Sequence, residues 1–291
     1  MIVARALRSL ATGVAAVALA CSQPAAAAKA ARSKPMRIMS MTLCADLLLL
    51  QLVPRARIAS VTYLAHDGAE ALFPGADAGI AINHGTAEDI IVERPDLILS
   101  DDFSTAITRR LARKIGAPLV VVKDALTFEE IRKEVRLIGA AVGEPARAEV
   151  LVARIDADIA KLAAMPARPP RRVVAWGGGD SVPGRDTLSN RIIEAAGAVN
   201  VAARPGLSFT SFDVEQLLMA EPQALLYGGG GPVKPTLRDD AGQHRAIRQR
   251  FAGRRIVFND TAHTCGLPQS VRSALDLRRA LDALPEREAA R

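Results

Sequence analysis

The segment EDIIVERPDLIL, Glu88 to Leu99, is written a second time as EQLLMAEPQALL, Glu215 to Leu226. Each copy opens with a Glu and runs through a short apolar-faced helical turn. Each then meets a Pro seven positions on (Pro95, Pro222) and ends in aliphatic residues. A Pro stops the helix, and the aliphatic run behind it reads as a buried strand. Many copies at a fixed period would specify a solenoid. Two copies far apart call for two similar lobes.

The rest of the chain has the same alternation. RIMSM (37–41), RIASVTY (57–63), DLILS (96–100) and PLVVV (118–122) read as strands, with helical periods between them over ADLLLLQL (45–52), the Glu88 unit and residues 105–115. Continuous Val/Ile/Leu runs between amphipathic helices mean a parallel sheet covered on both faces. A long helical stretch over 128–165 is interrupted at VGEPAR, where Gly143 closes one helix and Pro145 opens the next. The alternation restarts with RVVAW (172–176), a loop GGGDSVPGRD (177–186), a helix over 187–196, the Glu215 unit, ALLY (224–227), RIVF (255–258) and a last helix over 271–284. The expected organisation is an α/β lobe over 36–142, a connecting helix over 143–168 and a second α/β lobe over 169–285.

Residues 1–28 read as a secretion signal. Arg5 and Arg8 precede a short apolar run from Leu10 to Ala20, and an A-x-A site allows cleavage after Ala28. Lipid attachment at Cys21, within ALAC, is the alternative; Ala18 stands where such a signal carries Leu. Cleavage leaves Cys44 and Cys265 in a compartment that permits disulfides. The formal charge of +7 falls to +5 without Arg5 and Arg8. The basic residues are spread along the chain and in places stand beside acids, as in LRDDAGQHRAIRQRFAGRR, and are not interleaved with aromatics, which excludes nucleic acid as the expected partner. The excess positive charge hints at an anionic ligand or membrane surface.

This organisation resembles the periplasmic binding proteins of the cobalamin and iron-siderophore ABC importers. The resemblance covers the mature chain and rests on RIMSMTLCADLLLL, the Glu88–Leu99 unit, TLSNRIIEAAGAVNVA and HTCGLP. It implies two Rossmann-like parallel-sheet lobes joined by a single long helix, with the ligand cleft between them. It also implies a monomeric, periplasmic, non-enzymatic carrier without a cofactor, which hands a small-molecule metal chelate to the permease subunits of an ABC importer. In such proteins one Glu per lobe pairs with arginines of the permease, and Glu88 and Glu215 match those positions.

Ligands of open parallel sheets sit beyond the carboxyl ends of the strands. Tyr63, Asp101, Asp102, Phe103, Trp176 and Tyr227 stand at such ends, and Phe209 joins them as a stacking surface. His66, His84 and His263 lie in the same loops. The expected ligand-binding set is Cys44, Tyr63, His84, Asp101, Trp176, Phe209, His263 and Cys265. Cys44 and Cys265, one from each lobe, can form a disulfide, supply thiolates to a metal, or stand independent. Direct metal binding through Cys44, His84, His263 and Cys265 is the alternative function, although their spacing is not a metal motif. A chelate-processing enzyme is a further alternative. The glycine runs at 177–179 and 228–231 lack both G-x-x-x-x-G-K-[ST] and a helix-opening G-x-G-x-x-G, which disfavours a nucleotide site.

Overall fold

The computed structural model describes residues 34–102, 105–177, 181–228 and 244–285. Residues 1–33 with Cys21 and the expected signal, Phe103, and most of both glycine runs lie outside them. In the first lobe, β1 (Ile38–Ser40), β2 (Ile58–Thr62), β3 (Ala81–Asn83), β4 (Leu97–Ser100) and β5 (Leu119–Val121) form a parallel sheet in the order β3-β2-β1-β4-β5. The central strands β1 and β4 are buried along their whole length, as the aliphatic runs require. Helices α1 (Leu43–Leu52), α2 (Ala65–Leu72), α3 (Ala87–Glu93) and α4 (Ala106–Lys114) connect them. Asn83, at the end of β3, ties β1 and β2 to it, its amide nitrogen donating to the Ser40 carbonyl and to Ser60 Oγ.

After α5 (Phe128–Ala141) and α6 (Pro145–Ala163), the second lobe builds a parallel sheet from β6 (Arg171–Ala175), β8 (Ala198–Asn200), β10 (Ala224–Gly228) and β11 (Arg255–Phe258), in the order β11-β10-β6-β8. Helices α7 (Leu188–Ala195), α8 (Val214–Ala220), α9 (Arg245–Arg250), α10 (Asp260–Thr264) and α11 (Pro268–Ala283) complete it. Two short strands, β7 (Ser181–Pro183) and β9 (Phe209–Ser211), pair antiparallel. The sequence reads residues 177–186 as loop, because a three-residue strand paired with a remote segment leaves no local alternation. The connecting helix is shorter than the expected 143–168, since Pro166, Pro169 and Pro170 follow its end.

The duplicated unit is alike in both lobes down to its caps. Thr86 and Asp89 form a capping box on α3, and Asp213 and Gln216 form one on α8. Each helix ends in a left-handed residue other than glycine, Arg94 (φ 44°) and Glu221 (φ 41°), immediately before its Pro. That conformation costs on the order of 1 kcal/mol. Two copies therefore carry the same strained exit into the adjoining strand.

The lobes share one core. A single apolar cluster includes Leu47 of α1, Ile131 of α5, Ile155 of α6, Leu188 of α7 and Val271 of α11. Polar contacts reinforce it: Arg272 of α11 donates to both carboxylate oxygens of Asp158 on α6 at 2.8 and 3.0 Å, and Gln269 of α11 donates to Gln51 of α1 at 2.9 Å. The lobes pack closely at Gly266, where an added Cβ would lie 2.6 Å from the Ala125 Cβ and 3.1 Å from Ile131. Neither neighbour is the free end of a flexible side chain. Gly266→Ala is expected to cost about 1–3 kcal/mol in chemical denaturation, and adding Ala125→Gly to recover a large part of it. Independent, additive losses from the two changes would contradict the close approach.

Candidate functional site

Each sheet reverses its strand order once, between β1 and β4 in the first lobe and between β6 and β10 in the second. Crevices open at the carboxyl ends of such switch points. Cys44, in the first turn of α1, follows the end of β1; Cys265 follows α10 in the other lobe. The two are joined by a disulfide with Cα atoms 5.1 Å apart and 221 positions between them in sequence.

Beside this bond lies a cavity of ≈440 Å³ with walls from both lobes. The first lobe supplies Cys44, Asp124 and Leu126; the second supplies Pro183, the turn from Asp186 to Ser189, Ser208, Phe209, Phe258, Asp260, His263 and Thr264. Three carboxylates, two phenyl rings and several hydroxyls face it, and among the described residues its wall contains no Lys or Arg. Asp260 fits against the end of β10 because residue 228 is glycine: a Cβ there would lie 2.1 Å from its carboxylate oxygen. Burial raises the pKa of Asp260 above the usual carboxylate value.

His263 is a structural part of this wall. Its Nδ1 lies 3.0 Å from Ser189 Oγ on α7 and its Nε2 2.9 Å from Ser273 Oγ on α11, and its ring packs on Phe258 at 4.1 Å. Burial pushes its pKa down to about 3, so it is a neutral clamp with both nitrogens engaged. In the first lobe, Asp46 of α1 is fully buried and accepts hydrogen bonds from the amide and hydroxyl of Thr62. There burial pushes the carboxyl pKa up to about 6, against those hydrogen bonds.

Of the residues singled out from sequence, Cys44, Phe209 and His263 meet in the cavity wall. Tyr63 and His84 stack on each other, ring centroids 5.7 Å apart, exposed at the ends of β2 and β3 and outside that wall. Asp101 is half-buried at the end of β4, also outside it. Trp176 lies outside the cavity wall. It is 1 % exposed, packs in a separate core of the second lobe, and donates its indole N–H to the Phe212 carbonyl at 3.0 Å. An indole at a strand end is large enough to be covered by the segment leading into α8. Cys265 is likewise fully buried, in the disulfide. Tyr227 lies under the Arg255 guanidinium at 4.7 Å, and His66 pairs with Asp77 at 3.0 Å. Glu88 and Glu215 are exposed on α3 and α8.

Direct metal binding by Cys44, His84, His263 and Cys265 does not survive this geometry. The cysteines are oxidised together, His263 has no nitrogen to spare, and His84 lies outside the wall that contains Cys44 and His263. Among the described residues no group of three or more His, Cys, Asp or Glu is arranged to hold an ion. The sequence reading passed over Asp124, Asp186 and Asp260. Asp124 follows VVVK and Asp260 follows RIVFN, so the strand-end rule that selected the aromatics also reached these two carboxylates.

The profile of the periplasmic binding protein family matches residues 59–254, more than half of the chain. The chain belongs to the periplasmic binding protein family. Solved relatives agree in fold. The periplasmic heme-binding protein RhuT from Roseiflexus sp. RS-1 is 25% identical, with 84% of this chain and 97% of that one covered at a TM-score of 0.66. The periplasmic heme-binding protein HutB of Vibrio cholerae is 19% identical over 84% and 98%, at 0.68. The molybdate-binding MolA of Haemophilus influenzae is 16% identical over 86% and 88%, at 0.66. This periplasmic binding protein is thus a two-lobed solute-binding protein of the kind that serves ABC importers. No helix among the described residues is long and apolar enough to cross a membrane.

The buried pair in this periplasmic binding protein gives its stability a defined pH response. His263, with its pKa depressed in the fold, contributes stability that is complete above pH 6.5 and is lost as pH falls toward 3. Asp46, with its pKa raised, works the other way: its contribution is complete below pH 3.8 and is lost as pH rises through about 6. Between pH 7 and 4.5, His263→Gln is therefore expected to lose about 2 kcal/mol less stability than the parent, and Asp46→Asn to lose more. Denaturation curves at stepped pH check this, and parallel pH profiles for all three proteins would contradict it.

Proposed function

We propose that this protein holds a metal chelate in the cleft between its lobes and delivers it to the permease of an ABC importer in the periplasm. The observation that carries the reading is the ≈440 Å³ cavity walled by both lobes, within the range that encloses small organic ligands. Its chemistry narrows the ligand class. Asp124, Asp186 and Asp260 make the wall acidic, and Phe209 and Phe258 give it flat apolar surface. An anionic chelate would meet repulsion there, whereas a neutral or cationic one would not. The chain's positive net charge pointed toward an anion, but that charge is spread over the surface and the cavity has the opposite sign. Ferric hydroxamates and cobalamin-like corrinoids, with neutral or positive metal centres, fit better than a tris-catecholate.

Glu88 and Glu215 support the delivery step. Each is the second residue of its helix, exposed, and one belongs to each lobe. Carboxylates so placed suit a permease presenting one basic residue per subunit.

A thermal-shift panel tests the ligand class. A ligand bound by the native state alone raises its melting temperature in proportion to ligand excess over Kd. A neutral ferric hydroxamate or hydroxocobalamin is expected to raise the melting temperature, and a ferric tris-catecholate to leave it unchanged. Asp260→Asn combined with Asp186→Asn should weaken binding of a cationic chelate by roughly tenfold. Stabilisation by the tris-catecholate alone would overturn the assignment, as would stoichiometric uptake of a free metal ion without any chelator.

A further inference from the structure

The positive charge of the sequence finds no role in the cleft, whose wall is acidic. Part of it converges at the opposite end of the second lobe. A cavity of ≈330 Å³ opens there, and Arg171, Arg250 and Arg254 line it together with Gln223. Arg171 is the first residue of β6, Gln223 stands immediately before β10, Arg254 immediately before β11, and Arg250 ends α9. Strands β11, β10 and β6 are parallel neighbours in one sheet, so these residues gather at its amino edge. The cleft lies beyond the carboxyl ends of the same strands, where Gly228 meets Asp260 and Phe258 enters the wall. The two cavities are thus separate and differ in charge: among the described residues the lining at the amino edge contains no Asp or Glu.

Backbone carbonyls hold these arginines in place. Arg171 donates to the carbonyls of Leu284 and Pro285 at 3.1 and 3.4 Å, and Arg254 donates to those of Gln223 and Arg250. A carbonyl contact orients a guanidinium without neutralising it. Phe251, which is buried, carries the Arg250 and Arg254 guanidiniums at 5.9 and 5.2 Å from its ring centroid and so fixes two like charges beside one another. Arg250 also meets Glu221 at 3.3 Å, but that carboxylate stands outside the lining and is exposed, so the pairing is screened by solvent. Gln223 Oε1 accepts from the Arg172 N–H at 2.8 Å, which leaves the Gln223 amide nitrogen as a further donor. Like charges brought together over a wall without acids repel, and a bound anion offsets that repulsion.

We propose that this cavity is a second binding site, for a phosphate-bearing anion. A guanidinium fork matches paired phosphate oxygens, and each fork has five N–H donors, more than the carbonyls engage. The volume lies at the lower end for small organic ligands, which suits a pyrophosphate or a small phosphomonoester. A soluble phosphate and a lipid phosphate headgroup present this same chemistry. The site stands independently of the chelate reading, because it lies at the other end of the sheet from the cleft.

Isothermal titration calorimetry of the full chain with pyrophosphate, at neutral pH and low salt, tests the site. The parent is expected to bind one pyrophosphate, with an affinity that falls as chloride is added. Arg250→Gln and Arg254→Gln are each expected to weaken binding by about tenfold, and Arg250→Lys, which keeps the charge and loses the fork, to fall between. Arg171→Gln also removes the contacts to Leu284 and Pro285, so the exposed Arg250 is the deciding position. Its variants should keep the parent's melting temperature. Co-sedimentation with phosphatidylcholine vesicles containing phosphatidic acid separates the two sources. Capture that Arg250→Gln weakens supports a headgroup, and pyrophosphate binding without capture supports a soluble phosphate. A parent that binds neither pyrophosphate nor these vesicles overturns the site, as does binding that both glutamine substitutions leave unchanged. The chain continues past Pro285 with Glu286 and Glu288. Pyrophosphate binding that appears only after Glu286→Gln with Glu288→Gln makes the chain's own carboxylates the occupant and likewise overturns the proposal.

Discussion

The junction at the cleft floor governs how this molecule can work. Cys44 and Cys265 are bonded across it, Gly266 brings the second lobe's backbone against Ala125 and Ile131 of the first, and an apolar cluster continues through α1, α5, α6, α7 and α11. A hinge needs a few residues free to absorb rotation. Here Gly266, Ala125 and the disulfide are closely packed beside the cleft. Opening the lobes widely would break a shared core as well as bend a helix. The cleft is therefore largely pre-formed, and ligand binding has little ordering cost to overcome.

The same junction explains the electrostatics of the wall. Packing α7, α10 and α11 together buries His263 between two serines, and the depressed pKa follows from burial, not from any catalytic or metal role. Asp260 on the same short helix is pressed against the bare backbone of Gly228 and faces the cavity. Both residues line the cavity, but both ring nitrogens of His263 are engaged by serines of α7 and α11.

The two lobes and their parallel sheets were legible in the sequence, because aliphatic runs alternating with helical periods determine them directly, whereas the cleft between the lobes came with the family resemblance. The duplicated unit was legible too, including its two carboxylates. What the sequence concealed was orientation. Trp176 and Asp101 stand at strand ends, as expected, yet one is sealed by its hydrogen bond to Phe212 and the other lies outside the cavity wall. Strand β7 was hidden because its partner, β9, is remote and both are three residues long. The acidic lining was missed through attention to aromatics and soft ligands: Asp124 and Asp260 obey the strand-end rule that selected Tyr63, while Asp186 is placed by the turn leading into α7.

The central claim is that a chelate is held between the lobes against this acidic wall. Hydrogen–deuterium exchange on the intact protein, with and without a saturating neutral ferric hydroxamate or hydroxocobalamin, tests it most directly. The account predicts added protection over residues 124–126, 183–189, 208–209 and 258–264, with little change in the already protected core of α5, α6 and α11. Protection confined to one lobe, or centred on Tyr63 and His84 with the interlobe segments unaffected, would contradict it.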